Sequence, residues 1–222
     1  MQMKGLLFRM AVLTLLVFGT VSCIPNTGKW VDLGLPSGTL WAQCNIGATT
    51  PEQFGNYYAW GETHAEAAND QSASMPCEAA CDMQDIYCND RDHGTAVSAN
   101  VLQSFDDMTV AELGKDAHIP TAEQWQELLN NTQSEWTEYK GVFGRKFTGA
   151  NGNSLFLPAA FYRYGSELYY AGTDGYYWSS SLSTDYPYGA LGCYFYSDEQ
   201  TDYCGYYRDD GFSVRAVRAS QN

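Results

Sequence analysis

From Val142 onward the chain breaks into short apolar or aromatic runs, each bounded by residues that turn the backbone. SLFLPAA follows Asn151-Gly152-Asn153, YYWSSS follows Gly175, and Phe212, Val214 and Ala216 alternate in the last run. Runs of this length between glycine and asparagine turns read as strands. A chain punctuated in this way folds as many short strands with few helices, and the expected class is α+β. No internal repeat is present.

The upstream half fits the same class. In KWVDLGLPSGTLWAQCNIGA, Val31, Leu33 and Leu35 alternate, Pro36-Ser37-Gly38 turns, and Leu40 to Ile46 runs back, which reads as a hairpin. Thr50-Pro51-Glu52-Gln53 has a capping-box pattern with proline at the first helical position, so a short helix limited by Gly55 is expected. Thr109 to Leu113 supplies one helical turn. Thr121 to Asn131 is the best-marked helix: Thr121 and Gln124 form a capping box after Pro120, and Trp125, Leu128 and Leu129 give it an apolar face. Residues 63–82 have no period and read as a loop.

Residues 1–23 read as an export signal. Lys4 and Arg9 are its positive start, Met10 to Phe18 its apolar stretch, and this stretch is too short to span a bilayer. Cys23, directly after the small Ser22, fits a lipoprotein cleavage site and would carry the lipid; secretion without a lipid is the alternative. Residues 24–29 form a linker and 30–222 one domain. The expected location is the cell envelope, at the outer membrane or cell surface through a lipid anchor. Export brings an oxidising compartment, so Cys44, Cys77, Cys81, Cys88, Cys193 and Cys204 are open to disulfide formation, in pairings that sequence does not choose among.

Charge and motifs narrow the function. A formal charge of −14 repels phosphates, which argues against nucleic acid as a partner. No glycine-rich loop stands before a helix to hold a nucleotide. Cys77, Cys81 and Cys88 near His93 lack the CxxC knuckle of zinc sites and read as disulfides or thiols. Asp198, Glu199, Asp202, Asp209 and Asp210 offer oxygen ligands without the spacing of a calcium loop, and read as an acidic surface. Ser179-Ser180-Ser181 has no recognisable base, and His64, His93 and His118 are far apart. No cofactor, metal or catalytic residue is expected.

Tyrosine is the sharpest anomaly. Of 17 tyrosines, 13 lie between Tyr162 and Tyr207. In Tyr203-Cys204-Gly205-Tyr206-Tyr207 the rings cannot all point inward, because neighbours on a strand face opposite sides. Tyrosine gives a large, rigid, amphipathic contact for little entropy, and binding loops combine it with serine and glycine. Tyr186, Tyr188, Tyr194, Tyr196, Ser197, Tyr203, Gly205, Tyr206, Tyr207, Asp209 and Asp210 have that composition. An aromatic sheet packed internally is the alternative.

Several blocks together resemble a known family. WVDLGLPSGTLWAQCNIGATTPEQFGNYYAWGE, IPTAEQWQELL, NGNSLFLPAAFYRYG, GYYWSSS and GFSVRAVR are similar, in order, to the bacterial exported proteins of the Fibrobacter succinogenes major paralogous domain. The resemblance runs from about Trp30 to Arg218. It implies a C-type lectin-like fold of the formylglycine-generating-enzyme branch, with short, mostly antiparallel strands.

The C-terminal arrangement also resembles the variable target proteins of diversity-generating retroelements. In those systems adenines of a template repeat are scrambled, so asparagine codons become Tyr, Ser, Asp, Gly or Cys on one ligand-binding face. On this resemblance Trp178, Ser179, Phe195, Arg208, Gly211, Phe212, Val214 and Arg215 are scaffold. The residues between them, Cys193 and Cys204 included, are variable contacts for an extracellular protein or glycan. Two alternatives stay open. One is an oxidoreductase related to formylglycine generation that uses Cys193 and Cys204; the other is a structural envelope or adhesin subunit. A disulfide between Cys193 and Cys204 also stays open.

Overall fold

The computed structural model describes residues 30–63, 100–164, 167–170, 172–186, 189–197 and 202–220, with the backbone alone for 202–204. The export signal with Cys23, the 24–29 linker, Cys77, Cys81, Cys88, His93, Tyr188, Asp198 and Glu199 lie outside the described residues.

The expected first hairpin forms. Trp30–Asp32 (β1) pairs antiparallel with Leu40–Ala42 (β2), with Val31 opposite Trp41, and the Gly38 N–H donates to Leu35 O to close the turn. On its other edge β2 pairs with Val217–Arg218 (β14), which in turn pairs with Ala117–His118 (β4). One small sheet thus clasps both ends of the described domain.

Thr50 to Gln53 forms a turn and not the expected helix. The Gln53 carboxamide does accept from the Thr49 and Thr50 N–H groups. Yet Gly55 enters the left-handed region at φ 76°, and the Asn56 N–H returns to Ile46 O at 2.9 Å. The segment is spent on bracing the 45–46 loop and then feeds Tyr57–Tyr58 (β3).

Two helices are present among the described residues. Met108–Leu113 (α1) starts at Asp107, whose buried carboxylate accepts from the Thr109 N–H and hydroxyl and from the Ile119 N–H. Ala122–Asn131 (α2) starts at Thr121, and both bonds of the capping box are made. Its Trp125 and Leu128 are buried, as the spacing predicts.

α2 runs straight into Thr132–Tyr139 (β5), which sequence did not mark as a strand. β5, Val142–Gly149 (β6) and Ser154–Pro158 (β7) make a meander. Its first turn, Lys140-Gly141, has positive φ at both residues, the geometry that suits a two-residue hairpin loop.

The largest sheet has the order β12-β11-β10-β13-β3, where β10 is Asp174–Leu182, β11 Gly189–Tyr196, β12 Asp202–Tyr207 and β13 Phe212–Ser213. All its pairings are antiparallel except β10 with β13. A separate hairpin, Tyr162–Tyr164 (β8) with Glu167–Tyr169 (β9), lies beside it. The architecture is α+β, with few helices and many short strands.

The large sheet is covered on both faces. Tyr176 and Trp178 of β10 enter one core with Trp60, Met108, Ile119 and Phe212. Tyr177, between them, enters a second core with Trp41, Trp125, Phe147 and Phe195. This is the period-two alternation of a strand, with apolar cover on each side. Arg215 is fully buried and donates to neutral oxygens, among them those of Asn45, Ala42, Gln43 and Phe156.

Candidate functional site

The scaffold positions read from sequence lie in the interior. Trp178, Ser179, Phe195, Arg208, Phe212, Val214 and Arg215 are all buried, as is Gly211. Trp178 stacks on Phe212 with ring centres 4.1 Å apart, and its indole N–H donates to Tyr58 O at 2.7 Å. Arg208 lies over the Trp60 ring at 5.9 Å.

The residues read as contacts divide. On β11, Tyr194 and Tyr196 are half-buried and lie 5.4 Å apart. Tyr194 tilts against Tyr176 at 4.8 Å. Tyr206 of β12 is half-buried edge-on to Phe212 at 5.0 Å and to Tyr176 at 5.7 Å. Tyr207 is 49% exposed and meets the half-buried Tyr186 edge-on at 5.5 Å. Ser197 and Gly205 are exposed. Tyr203 and Cys204 lie opposite Cys193 and Gly192 in the backbone register. Asp209 is half-buried and Asp210 buried, so Asp210 is a floor residue and not a displayed one.

Cys193 does not belong to this face. It is a free, fully buried thiol in the second core, in the layer of Tyr177 and Phe195. The reason is strand alternation: Cys193 and Phe195 point to the side of β11 opposite Tyr194 and Tyr196, and that side is covered by the second core. Burial pushes the Cys193 thiol well up, with the nearby Arg145 charge opposing in part. A bridge from Cys193 to Cys204 is also removed, since Cys193 is unbridged.

The β8–β9 hairpin adds residues that sequence reading missed. Arg163 and Gly211 exchange two backbone hydrogen bonds of 2.8 Å, which dock the hairpin on the 208–211 turn. Tyr162 then packs edge-on to Tyr176 at 5.0 Å and stacks on Tyr169 at 5.4 Å. Rings from Tyr169 through Tyr162, Tyr176 and Tyr194 to Tyr196 form one continuous aromatic path. Tyr164, Leu168, Tyr169 and Tyr170 are exposed. Tyr170 holds φ at 63°, uncommon for a bulky residue, and its carbonyl accepts from the Thr173 hydroxyl and N–H. The signal available was the run of tyrosines around Gly165-Ser166, too short to bury them all within one hairpin.

Carboxylates edge the aromatic path. Burial and the like charge of Asp209 push the Asp210 carboxyl up to about 7. Burial also raises Asp209, with the Arg208 charge opposing, and raises Asp174. Tyr162 is raised by burial and then by the charge of Asp210. Among the described residues no cluster of three or more His, Cys, Asp or Glu is placed to hold a metal. A cleft of about 410 Å³ between β1, β5 and β7, lined by Val31, Tyr139 and Phe156, shares no residue with this face. The arrangement can stack, donate and accept hydrogen bonds, and attract positive charge.

No protein-family model, curated protein or solved structure matches the chain.

Proposed function

We propose that the protein is an exported, lipid-anchored recognition protein. Its C-type lectin-like domain presents a diversified tyrosine-rich face to a protein or glycan outside the cell. One observation carries this reading. The residues assigned to scaffold are buried, while Tyr186, Tyr194, Tyr196, Ser197, Gly205, Tyr206 and Tyr207 are half-buried or exposed around them. A face that varies while the fold persists needs that division. The many short, mostly antiparallel strands support the lectin-like assignment. Recognition proceeds by stacking and hydrogen bonding on a rigid strand platform, the use to which binding loops put tyrosine. No catalytic step is invoked. Cys193, sealed in the core, gives the paired-cysteine oxidoreductase alternative no accessible thiol at that position.

The decisive experiment is to sequence the gene and its flanks. The expected result is a nearby reverse transcriptase and an imperfect repeat of the codons for 186–215, differing at adenines. An isolated gene with neither overturns the diversification. For the anchor, labelled fatty acid should enter the wild-type chain and not Cys23→Ala; label persisting in the variant overturns it.

A further inference from the structure

The two faces of the β5–β6–β7 meander differ. Trp136, Phe147, Leu155 and Leu157 turn to one side and pack in the second core. The register puts Thr137, Tyr139, Lys146, Ser154 and Phe156 on the other side. All five line the cleft of about 410 Å³, which Val31, Gln43 and Pro51 also line. Its aromatic wall is fixed in place. Phe156 is buried and packs against the Tyr139 ring with centres 5.3 Å apart. Gly144 makes room for it, since a Cβ there would lie 2.7 Å from Phe156 Cζ. Lys140 Nζ also lies over the Tyr139 ring, 5.2 Å from its centre, and is tied to Glu52 at 3.2 Å. Tyr139 still keeps 40% of its surface open.

We propose that this cleft is a second ligand site, separate from the tyrosine face, and that it takes a neutral saccharide. One sugar ring stacks on Tyr139, and its hydroxyls bond to Gln43, Thr137 and Ser154. A pyranose has a face of C–H groups that suits an aromatic ring and a rim of hydroxyls that both donate and accept. The Gln43 carboxamide and the Thr137 and Ser154 hydroxyls also do both, and none of these side chains hydrogen-bonds to another described residue. Gln43 is held from behind, because its carbonyl accepts from buried Arg215 at 2.8 Å. A ligand without hydroxyls would take water from these three groups and return no hydrogen bond. Charge does not select here. Lys146, the cation in this lining, is paired with Glu135 at 2.9 Å, so an anion finds no open partner. The Glu138 carboxylate is exposed, so a cation meets it only through water screening. The volume falls in the range of small-molecule sites, where an apolar wall gives contact and a few polar groups fix orientation. The inference does not depend on the reading of the tyrosine face.

The test is saturation-transfer NMR titration of the full chain, in a mild detergent without a sugar headgroup. The probes are the methyl glycosides of glucose, galactose, mannose and N-acetylglucosamine, with cyclohexanol as the ring without a hydroxyl rim and glucuronate and glucosamine as charged sugars. At least one neutral glycoside should bind about tenfold or more tightly than cyclohexanol and more tightly than either charged sugar. Tyr139→Ala should weaken that glycoside about tenfold or more, while Tyr139→Phe, which keeps the ring, should retain most of the affinity. Thr137→Val keeps the branched shape that suits a strand and removes one hydroxyl. It should weaken binding about threefold or more, and it serves as the second variant should Tyr139→Ala fail to fold. Glycosides binding no better than cyclohexanol, a charged sugar binding more tightly than every neutral one, or unchanged affinity in both Tyr139→Ala and Thr137→Val overturns the inference. Binding lost in Tyr207→Ala and retained in both cleft variants places the sugar on the tyrosine face; it overturns this inference and leaves the recognition function standing.

Discussion

Arg215 Nε donates to Asn45 Oδ1 across 2.8 Å, with both side chains buried. The same guanidinium reaches Ala42 O, Gln43 O and Phe156 O, so one side chain ties the segment after β2 to β7 and to the C-terminal run. Every acceptor is neutral, and burial holds the Arg215 pKa below its usual range. Arg215→Met strands several buried oxygens at once. It should lower stability by about 3 kcal/mol or more, read as an earlier urea midpoint at unchanged slope. Arg215→Lys should recover little of this, because an ammonium cannot reproduce the planar fork. A midpoint unchanged in Arg215→Met would show that the fork is dispensable.

Asp210 gives stability a pH dependence whose sign is opposite to that of a salt-bridged aspartate. Unfolded, the carboxyl titrates near its ordinary value of 3.8; folded, burial and Asp209 push it up to about 7. Between those values the folded state keeps a proton that the unfolded state has released, so stability falls as pH rises through the window and levels off above it. Asp210 should contribute a loss of up to about 4 kcal/mol across that window. Asp209, raised by burial, slopes the same way, while the half-buried Glu52, lowered by hydrogen bonding, slopes the other way. The check is the difference between wild type and Asp210→Asn in urea unfolding at about pH 4.5 and pH 7.5. The variant should be the more stable at the higher pH, and parallel curves would refute the assignment.

Tyr206 and Tyr207 are neighbours with opposite duties. Tyr206 packs against Phe212 and Tyr176, so Tyr206→Ala should cost about 2 kcal/mol or more of stability. Tyr207 is half exposed, and Tyr207→Ala should stay within about 0.5 kcal/mol of wild type. Thermal unfolding separates the two. If both variants melt like wild type, Tyr206 is a displayed contact and not part of the platform; if both collapse, the face is core.

Local chemistry was legible in the sequence, and docking was not. The Thr121 box forms because both of its bonds close within four residues. The same pattern at Thr50 yields only a turn, since Gly55 and the pull of Ile46 O on the Asn56 N–H divert the chain. β5, TQSEWTEY, reads as polar, yet it becomes a strand because β6 pairs with it residue by residue. Cys193 was misplaced because composition groups it with its tyrosine neighbours, whereas alternation turns it to the opposite side of β11 from Tyr194 and Tyr196, into the second core. The β8–β9 hairpin reaches the face through backbone bonds between Arg163 and Gly211, which no side-chain pattern encodes.

Burial makes Cys193 a reporter of the fold's integrity. Its thiol is fully enclosed and held well above its ordinary pKa, chiefly by desolvation, so neither access nor thiolate is available in the native state. Maleimide applied at neutral pH, with modified sites mapped by mass spectrometry, should leave Cys193 unlabelled until denaturant unfolds the domain. Labelling should then rise along the same curve as loss of the tryptophan signal from Trp41, Trp125 and Trp178, which are also buried. Early labelling would mean that β11 opens locally and that the tyrosines on its other face do not rest on a rigid platform. Cys193→Ala should lower stability modestly, by about 1 kcal/mol, because it removes one buried sulfur from the layer of Tyr177 and Phe195. Since no chemistry is assigned to this thiol, ligand binding by the tyrosine face should survive the substitution.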